Sequence, residues 1–391
     1  MALAVTALVA GCGSDGVDGG AATTEPVDEV EPITVEVTRP AAADVTVRYE
    51  TSTRVLDEGR YYAFVGSSSP HDVLDRATAI VVDLLADPIA SVEVPLPGDT
   101  YFRDVWVAGG ELRAVVTLCD EIADLNPDLG GELECVRGHN VVLVAPNPLL
   151  HDSPTLAWRT VLTDATGDLH TRPVFTYATS RDAYLKSEGR LHRVSFPDGQ
   201  VETFDAPGGT DPYSICGDPS DPDGDLLVKL SVPFEGSAEP NRRQNWSDAV
   251  YARLTSEGEW IDLPHPEDRD MAVSVLGGRC IGTRQSMREW DTDAIWVLDP
   301  SGEWSRWGSF EVPGFEPGVP LRELQSPGIR SDEWFALEAP SRIELLGEGG
   351  ARATIELAEP DLRSVRWGVI LPGDRVVLVT GRGFVSTTLI R

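Results

Sequence analysis

Six arginines recur along the chain at positions that would gather them in space: Arg48, Arg103, Arg172, Arg269, Arg322 and Arg363. Each stands near the start of a segment with the apolar pattern of an inner β-strand, and the series skips one place, at Asp211-Pro212-Tyr213. Guanidinium groups brought to one opening would form an anion site suited to carboxylates, because the planar fork pairs two oxygens at once. Adjacent carboxylates such as Asp104, Asp270 and Glu323 offer a plainer role, in which each arginine pairs locally and locks neighbouring elements together.

The other residue types able to do chemistry are sparse. The six histidines, His71, His139, His151, His170, His192 and His265, make neither His-x-His nor His-Glu-x-x-His spacing, so no zinc site is expected. Residues 218–225 read Asp-Pro-Ser-Asp-Pro-Asp-Gly-Asp, but with Gly224 at the turn position Pro219 falls where a calcium loop needs its first carboxylate and Leu230 where it needs the last. This is an acidic turn. Neither a metal nor a cofactor is expected, and Asn245-Trp246-Ser247 is a chance match to a glycosylation sequon. Beyond Cys12 there are four cysteines, which allow three pairings. Cys119 and Cys135 stand toward the two ends of an inserted segment, residues 120–139, between neighbouring antiparallel strands, where a disulfide would close a loop of about 15 residues and contribute roughly 3 kcal/mol. Cys216 and Cys280 would then pair across two neighbouring repeats, or remain buried thiols in apolar strands.

These residues must be positioned by strands. The chain has 391 residues, 41% hydrophobic, and its 37 Gly and 29 Pro break it too often for long helices, which predicts an all-β fold. The clearest unit is residues 294–308, Ala-Ile-Trp-Val-Leu-Asp-Pro-Ser-Gly-Glu-Trp-Ser-Arg-Trp-Gly, two strand-forming runs around Asp299-Pro300-Ser301-Gly302. Weaker copies turn at Gly199, Gly258 and Gly350, and a second hairpin type turns at Gly110, Gly278 and Gly373. Both fit a unit of about 44 residues, the size of a four-stranded propeller blade.

The N-terminus carries an address. Residues 1–11 form an uncharged apolar run, shorter than the roughly 20 residues that span a bilayer. It ends in Leu8-Val9-Ala10-Gly11-Cys12, which resembles the lipobox of bacterial lipoproteins. The resemblance implies a signal peptide over residues 1–11, a diacylglyceryl anchor on Cys12, and a location on the extracytoplasmic face of the cell membrane. No Lys or Arg precedes the run, so translation is expected to begin further upstream. With only Lys186 and Lys229 as lysines among 32 basic residues, the composition also resembles that of high-GC, actinobacterial-type proteins. Residues 12–32 lack periodicity and read as an acidic, disordered tether with an end-to-end distance of about 25 Å.

Residues 33–391 are expected to form one β-propeller of seven four-stranded blades, with six or eight the alternatives. Blades are expected over 46–95, then to 162, 206, 263, 312 and 357. A last blade has strands near 365–370, 375–380 and 383–390, and residues 33–38 are expected to supply its fourth strand and close the ring. Long segments at 67–76, 120–139, 233–248 and 284–293 fall between second and third strands, which puts them all on one face, the candidate binding surface. A net charge of −32 disfavours nucleic acid and anionic membrane surfaces as partners. The expectation is a monomeric binding module for a protein, peptide or envelope glycan. A glycoside hydrolase is the alternative, since the hairpin turns superficially resemble the Asp-box turns of sialidase-like propellers. The Asp-box pattern itself is matched nowhere, and no carboxylate pair can be assigned.

Overall fold

Tyr62 and Phe64 belong to one buried core and Ala63 and Val65 to another, because successive side chains of a strand point to opposite faces. This division repeats around the molecule. The structure is a computed structural model that describes residues 31–40, 49–51, 60–67, 77–98, 100–124, 133–164, 174–187, 189–216, 224–231, 250–263, 271–276, 279–285, 290–298, 303–308, 328–330, 334–339, 342–347, 351–356, 365–371, 373–380 and 383–391.

After a short leading strand, β1 (Ile33–Glu36), the first sheet is β2 (Tyr49–Thr51), β3 (Tyr61–Ser67), β4 (Thr78–Asp83) and β5 (Ala90–Pro95), in that order. The second holds β6 (Thr100–Ala108), β7 (Glu111–Asp124), β8 (Leu133–Pro146) and β9 (Thr155–Asp164). The third is β10 (Val174–Ala178), β11 (Asp182–Ser187), β12 (Arg190–Ser195) and β13 (Gln200–Asp205). The fourth is β14 (Asp211–Cys216), β15 (Leu226–Ser231), β16 (Val250–Leu254) and β17 (Trp260–Leu263). The fifth is β18 (Met271–Leu276), β19 (Arg279–Gln285), β20 (Trp290–Leu298) and β21 (Trp304–Gly308). After β22 (Gly328–Arg330), the sixth contains β23 (Trp334–Ala339), β24 (Arg342–Gly347) and β25 (Arg352–Glu356), and the seventh β26 (Val365–Leu371), β27 (Arg375–Thr380) and β28 (Gly383–Thr388). Within each sheet these consecutive strands pair antiparallel, and the hairpin of residues 294–308 is β20 against β21, with Leu298 opposite Trp304.

Alternate side chains join each sheet to both neighbours. Val105, Leu112, Ala114 and Val116 of the second sheet pack with Ala63, Val65, Ala79 and Val81 of the first, while Trp106, Val115 and Val142 pack with Ala183, Leu185 and Val194 of the third. Tyr177, Tyr184 and Leu191 meet Ile215, Val228 and Leu254 at the third–fourth seam. Strand β14 contacts β18 and β19, and β21 contacts β24. Ile343, Leu345 and Ile355 of the sixth sheet pack on Val376 and Leu378 of the seventh. Val369, Leu371 and Val377 of the seventh then pack on Tyr62, Phe64, Ile80 and Val82 of the first. The last sheet therefore meets the first, and the fold is a β-propeller. Among the described residues no α-helix occurs, and no helix is long and apolar enough to cross a membrane.

Closure differs from the expected arrangement. The N-terminal strand does not complete the last sheet: β1 pairs antiparallel with β9, from Ile33 opposite Trp158 to Glu36 opposite Thr155, as a fifth strand on the second sheet. Thr38 exchanges both backbone hydrogen bonds with Glu93 of β5 (3.0 and 2.8 Å), and Arg39 donates to the carbonyls of Pro148 and His151 (3.2 and 2.7 Å). These bonds strap the N-terminal segment across the first and second sheets, which holds it away from the seventh. At the other end Ile390 exchanges backbone bonds with Thr354 of β25 (2.8 and 2.9 Å), tying the seventh sheet to the sixth. Among the described residues the sixth sheet holds three strands, β23, β24 and β25. The short β22 pairs parallel with β26, as two leading strands running in the same direction can. The described parts of the segment 120–139, residues 120–124 and 133–139, are strand. Strands β7 and β8 are 14 residues each, and their ladder runs on to Asp124 opposite Leu133.

Two turn glycines define how outer edges approach. Gly199 has φ 69°, and a Cβ there would meet the Val161 side chain at 2.5 Å and its carbonyl oxygen at 2.9 Å. Gly258 has φ 87°, and a Cβ would meet the Phe204 ring at 2.8 Å. In both, the last turn of one sheet sits on the fourth strand of the preceding sheet. Gly189, at φ 64°, has nothing within 4 Å. We expect Gly189→Ala to lose about 1 kcal/mol from left-handed strain alone. Gly199→Ala and Gly258→Ala should lose about 2–4 kcal/mol because overpacking is added, read as the shift in denaturant midpoint at constant m-value.

Candidate functional site

The seam between the third and fourth sheets opens into a polar cleft of about 210 Å³. Its floor comes from the turn before β11. The Thr179 hydroxyl oxygen accepts the N–H groups of Arg181 (3.2 Å) and Asp182 (3.0 Å), and Thr179 N–H donates to the Asp182 carbonyl (2.8 Å). Asp182 lies opposite Ser195, and the serine hydroxyl donates to Asp182 Oδ1 at 2.6 Å. Asp182 is only 5% exposed, so this bond offsets part of the penalty for burying a carboxylate.

Next along the hairpin Tyr184 lies opposite Arg193. Burial, reinforced by the Asp182 charge, pushes the tyrosine hydroxyl up to about 12, so it stays protonated as a donor. Arg193 pairs with Glu202, lies 5.5 Å from the centre of the Phe204 ring, and reaches the Ser256 carbonyl at 3.5 Å. The fourth sheet supplies the other wall with Gly224, Leu226, Leu254, Thr255 and Ser256. Asp225 holds that wall, accepting Ser256 N–H at 3.3 Å and pairing with Arg253 at 3.4 Å.

Chemically the cleft presents a carboxylate, hydroxyls, two guanidinium groups from Arg181 and Arg193, and an aromatic edge. That set can hold a polar, hydroxyl-bearing ligand. None of the residues lining it is His, Cys or Lys, and Ser195 has a carboxylate rather than an imidazole beside it, so the lining does not assemble a serine nucleophile with its base. Among the described residues no group of three or more His, Cys, Asp or Glu could hold a metal ion.

The cleft lies on the face of the first-to-second and third-to-fourth strand turns, opposite the long segments. Those segments do fall between second and third strands, joining β3 to β4, β7 to β8, β15 to β16 and β19 to β20. Sequence reasoning missed the cleft because Asp182 and Ser195 meet only once β11 and β12 pair. The one local signal was the compact Thr-Ser-Arg-Asp turn at residues 179–182.

Of the six arginines, Arg103 lies in β6 opposite Val116, beside a register shift. Arg48, Arg172, Arg269, Arg322 and Arg363 lie outside the described residues. The Asp104 carboxylate accepts Val105 N–H at 2.9 Å. Cys119 of β7 is opposite Gly138 and Cys135 of β8 opposite Ile122, so the two cysteines stand on paired strands. Cys216 ends β14, Cys280 lies in β19, and Cys12 is outside the described residues. His139 Nδ1 lies 3.2 Å from Asp120, and His192 Nδ1 lies 3.0 Å from the Thr203 hydroxyl.

The chain's two lysines both sit on second strands. Burial lowers Lys186, with the nearby Asp211 charge opposing, and Lys229, 3% exposed in β15, is lowered to about 8.

No protein-family profile matches the chain, and no curated protein matches it in sequence. Solved structures similar to it include streptogramin B lyase, at 13% identity and TM-score 0.44 over 87% of this chain and 97% of that one. Another is the β-propeller domain of the Trilobed protease from Pyrococcus furiosus, at 12% identity and TM-score 0.42 over 84% and 88%. A third is the extracellular domain of a one component system from B. thetaiotaomicron, at 10% and 0.40 over 86% and 40%. Likeness at this level concerns the fold alone.

Lys229 makes a prediction. Its ammonium loses its proton near pH 8 when folded and near 10.5 when unfolded. Between those values the unfolded chain binds more protons, so this residue's contribution to stability rises with pH. The stability of the natural chain relative to Lys229→Met should therefore increase between pH 8 and 10.5, measured by urea unfolding at matched ionic strength. A flat difference would contradict the lowered value.

Proposed function

We propose that this chain is a lipid-anchored, extracytoplasmic binding module whose propeller presents one decorated face to a protein, peptide or envelope-glycan ligand. The observation that carries the reading is one-sided decoration. The four long segments all connect second to third strands, and such connections share a face of a propeller. Among the described residues the second sheet extends furthest on that face, because β7 and β8 continue past the start of β6 at Thr100, opposite Leu118, and the end of β9 at Asp164, opposite Asn140. A two-stranded ribbon is marginal by itself. A Cys119–Cys135 disulfide would hold it rigid, and the strand pairing of the two cysteines supports that role.

Anchoring rests on the lipobox-like Leu8-Val9-Ala10-Gly11-Cys12. The tether and the strap at residues 33–39 would then set where the domain hangs from the membrane. Intact mass of the membrane-fraction protein, expressed in a high-GC bacterial host, should show diacylglycerol at Cys12. Cys12→Ser should move the protein to the soluble fraction, and an unlipidated membrane form would end this part of the reading.

Ligand capture should depend on the ribbon. Exposing the purified domain to solubilised envelope and identifying retained material by mass spectrometry should give a ligand whose retention falls at least tenfold in the Cys119→Ser, Cys135→Ser double variant, about 1.4 kcal/mol. Thermal unfolding checks that the remaining sheets still fold. Undiminished capture by a folded double variant would move the ligand off this face, and turnover of an envelope polysaccharide would favour the hydrolase alternative.

A further inference from the structure

We propose that the cleft between the third and fourth sheets binds a small primary amine with a hydroxyl on the adjacent carbon, the grouping found in amino alcohols and amino sugars. The site lies opposite the decorated face and is separate from it. The inference begins with register. Asp182 stands opposite Ser195 and Tyr184 opposite Arg193 in the β11–β12 ladder, at alternate positions of both strands, so the four side chains share one face. That face lines the cleft, with Thr255 and Ser256 of the fourth sheet's β16–β17 turn in the other wall.

Asp182 points to a cation. It is 5% exposed, and among the described residues its carboxylate has one side-chain donor, the Ser195 hydroxyl on Oδ1, and no ion pair. A buried charge is costly unless it is both paired and hydrogen-bonded. An ammonium group supplies the opposite charge and three donors at once. The net charge of −32 adds a field that draws cations. The arginines of the lining do not cancel this, because Arg193 is ion-paired with Glu202 and Arg181 is exposed, where water weakens its field.

Arg193 points to the hydroxyl. Its Nε is buried with no acceptor among the described residues, although Glu202 already answers the guanidinium's charge. What that N–H lacks is therefore a neutral oxygen, and burial keeps the Tyr184 hydroxyl opposite it protonated as well. Asp182 and Arg193 are diagonal neighbours on the ladder, a spacing of about 7–8 Å that admits a two-carbon unit with a polar group at each end. Volume sets the size. At about 210 Å³ the cleft is smaller than the roughly 300–1,000 Å³ of drug-sized sites, so its occupant is one sugar ring or less.

The test is isothermal titration calorimetry on the whole chain with glucosamine, glucose and N-acetylglucosamine, at a pH below the amine's own pKa. Glucosamine should bind saturably, and the other two at least tenfold more weakly, since neither carries an ammonium. Asp182→Asn should weaken glucosamine at least tenfold. Because a buried carboxylate can also matter to folding, Ser256→Trp is the second variant: it fills the cleft from an exposed turn position and should weaken binding by as much. Thermal unfolding and circular dichroism check both folds. The Cys119→Ser, Cys135→Ser double variant should bind glucosamine as the natural chain does, which separates this site from the decorated face. The proposal is overturned by absence of saturable glucosamine binding up to about 10 mM, or by equal binding of either neutral sugar. Undiminished binding to a folded Asp182→Asn or Ser256→Trp variant, or lost binding in the folded double variant, would overturn it too.

Discussion

Every sheet in this molecule is sandwiched between two others, so a strand cannot choose one apolar face. It must be apolar on both. In β15, Leu226, Val228 and Leu230 join the core shared with the third sheet, and Leu227 and Lys229 between them are buried as well. At the rim the demand relaxes, and every side chain of β13 is exposed or half-buried. Period-two alternation therefore acts here as a partition between neighbours rather than between core and water. A one-residue slip in any ladder would exchange the two sets and disrupt two seams together.

The same constraint explains why closure does not need a shared strand. If the seventh sheet left the first, Tyr62, Phe64, Ile80, Val82 and Leu84 would face water. Burial of each such side chain is worth about 1.5–3 kcal/mol, which holds the ring by packing alone. The chain ends instead reinforce the seams beside that closure, the N-terminal segment across sheets one and two and the C-terminal one across sheets six and seven.

Much of the scaffold was legible beforehand. The turn glycines Gly110, Gly199, Gly258 and Gly373 all have positive φ, as their place in hairpins required, and the expected sheet ends fall close to the observed β5, β9, β13, β17 and β25. Turn chemistry is local, and a four-strand period repeats it. The candidate site was much less legible. The arginine series is regular in sequence, and five of its six members lie outside the described residues. The cleft had no comparable signature. Asp182, Ser195, Arg193 and Ser256 belong to three turns and two sheets, and their common position follows only from ladder register and the fit of one sheet on the next.

The amino-acid sequence by itself determined an all-β repeat, its hairpin turns, its acidity and the one-sided placement of its long segments, because backbone conformation and strand period depend on neighbours a few residues apart. The tertiary structure decided where the N-terminal strand pairs and which polar groups share a cleft. Those outcomes depend on competition between distant surfaces for the same hydrogen bonds and the same apolar cover. Ile33–Glu36 could pair with any uncovered outer edge of suitable length, and β9 together with the Glu93 and Arg39 contacts gives it more bonds than a single edge would. Such comparisons between remote partners are not written in any local stretch of residues.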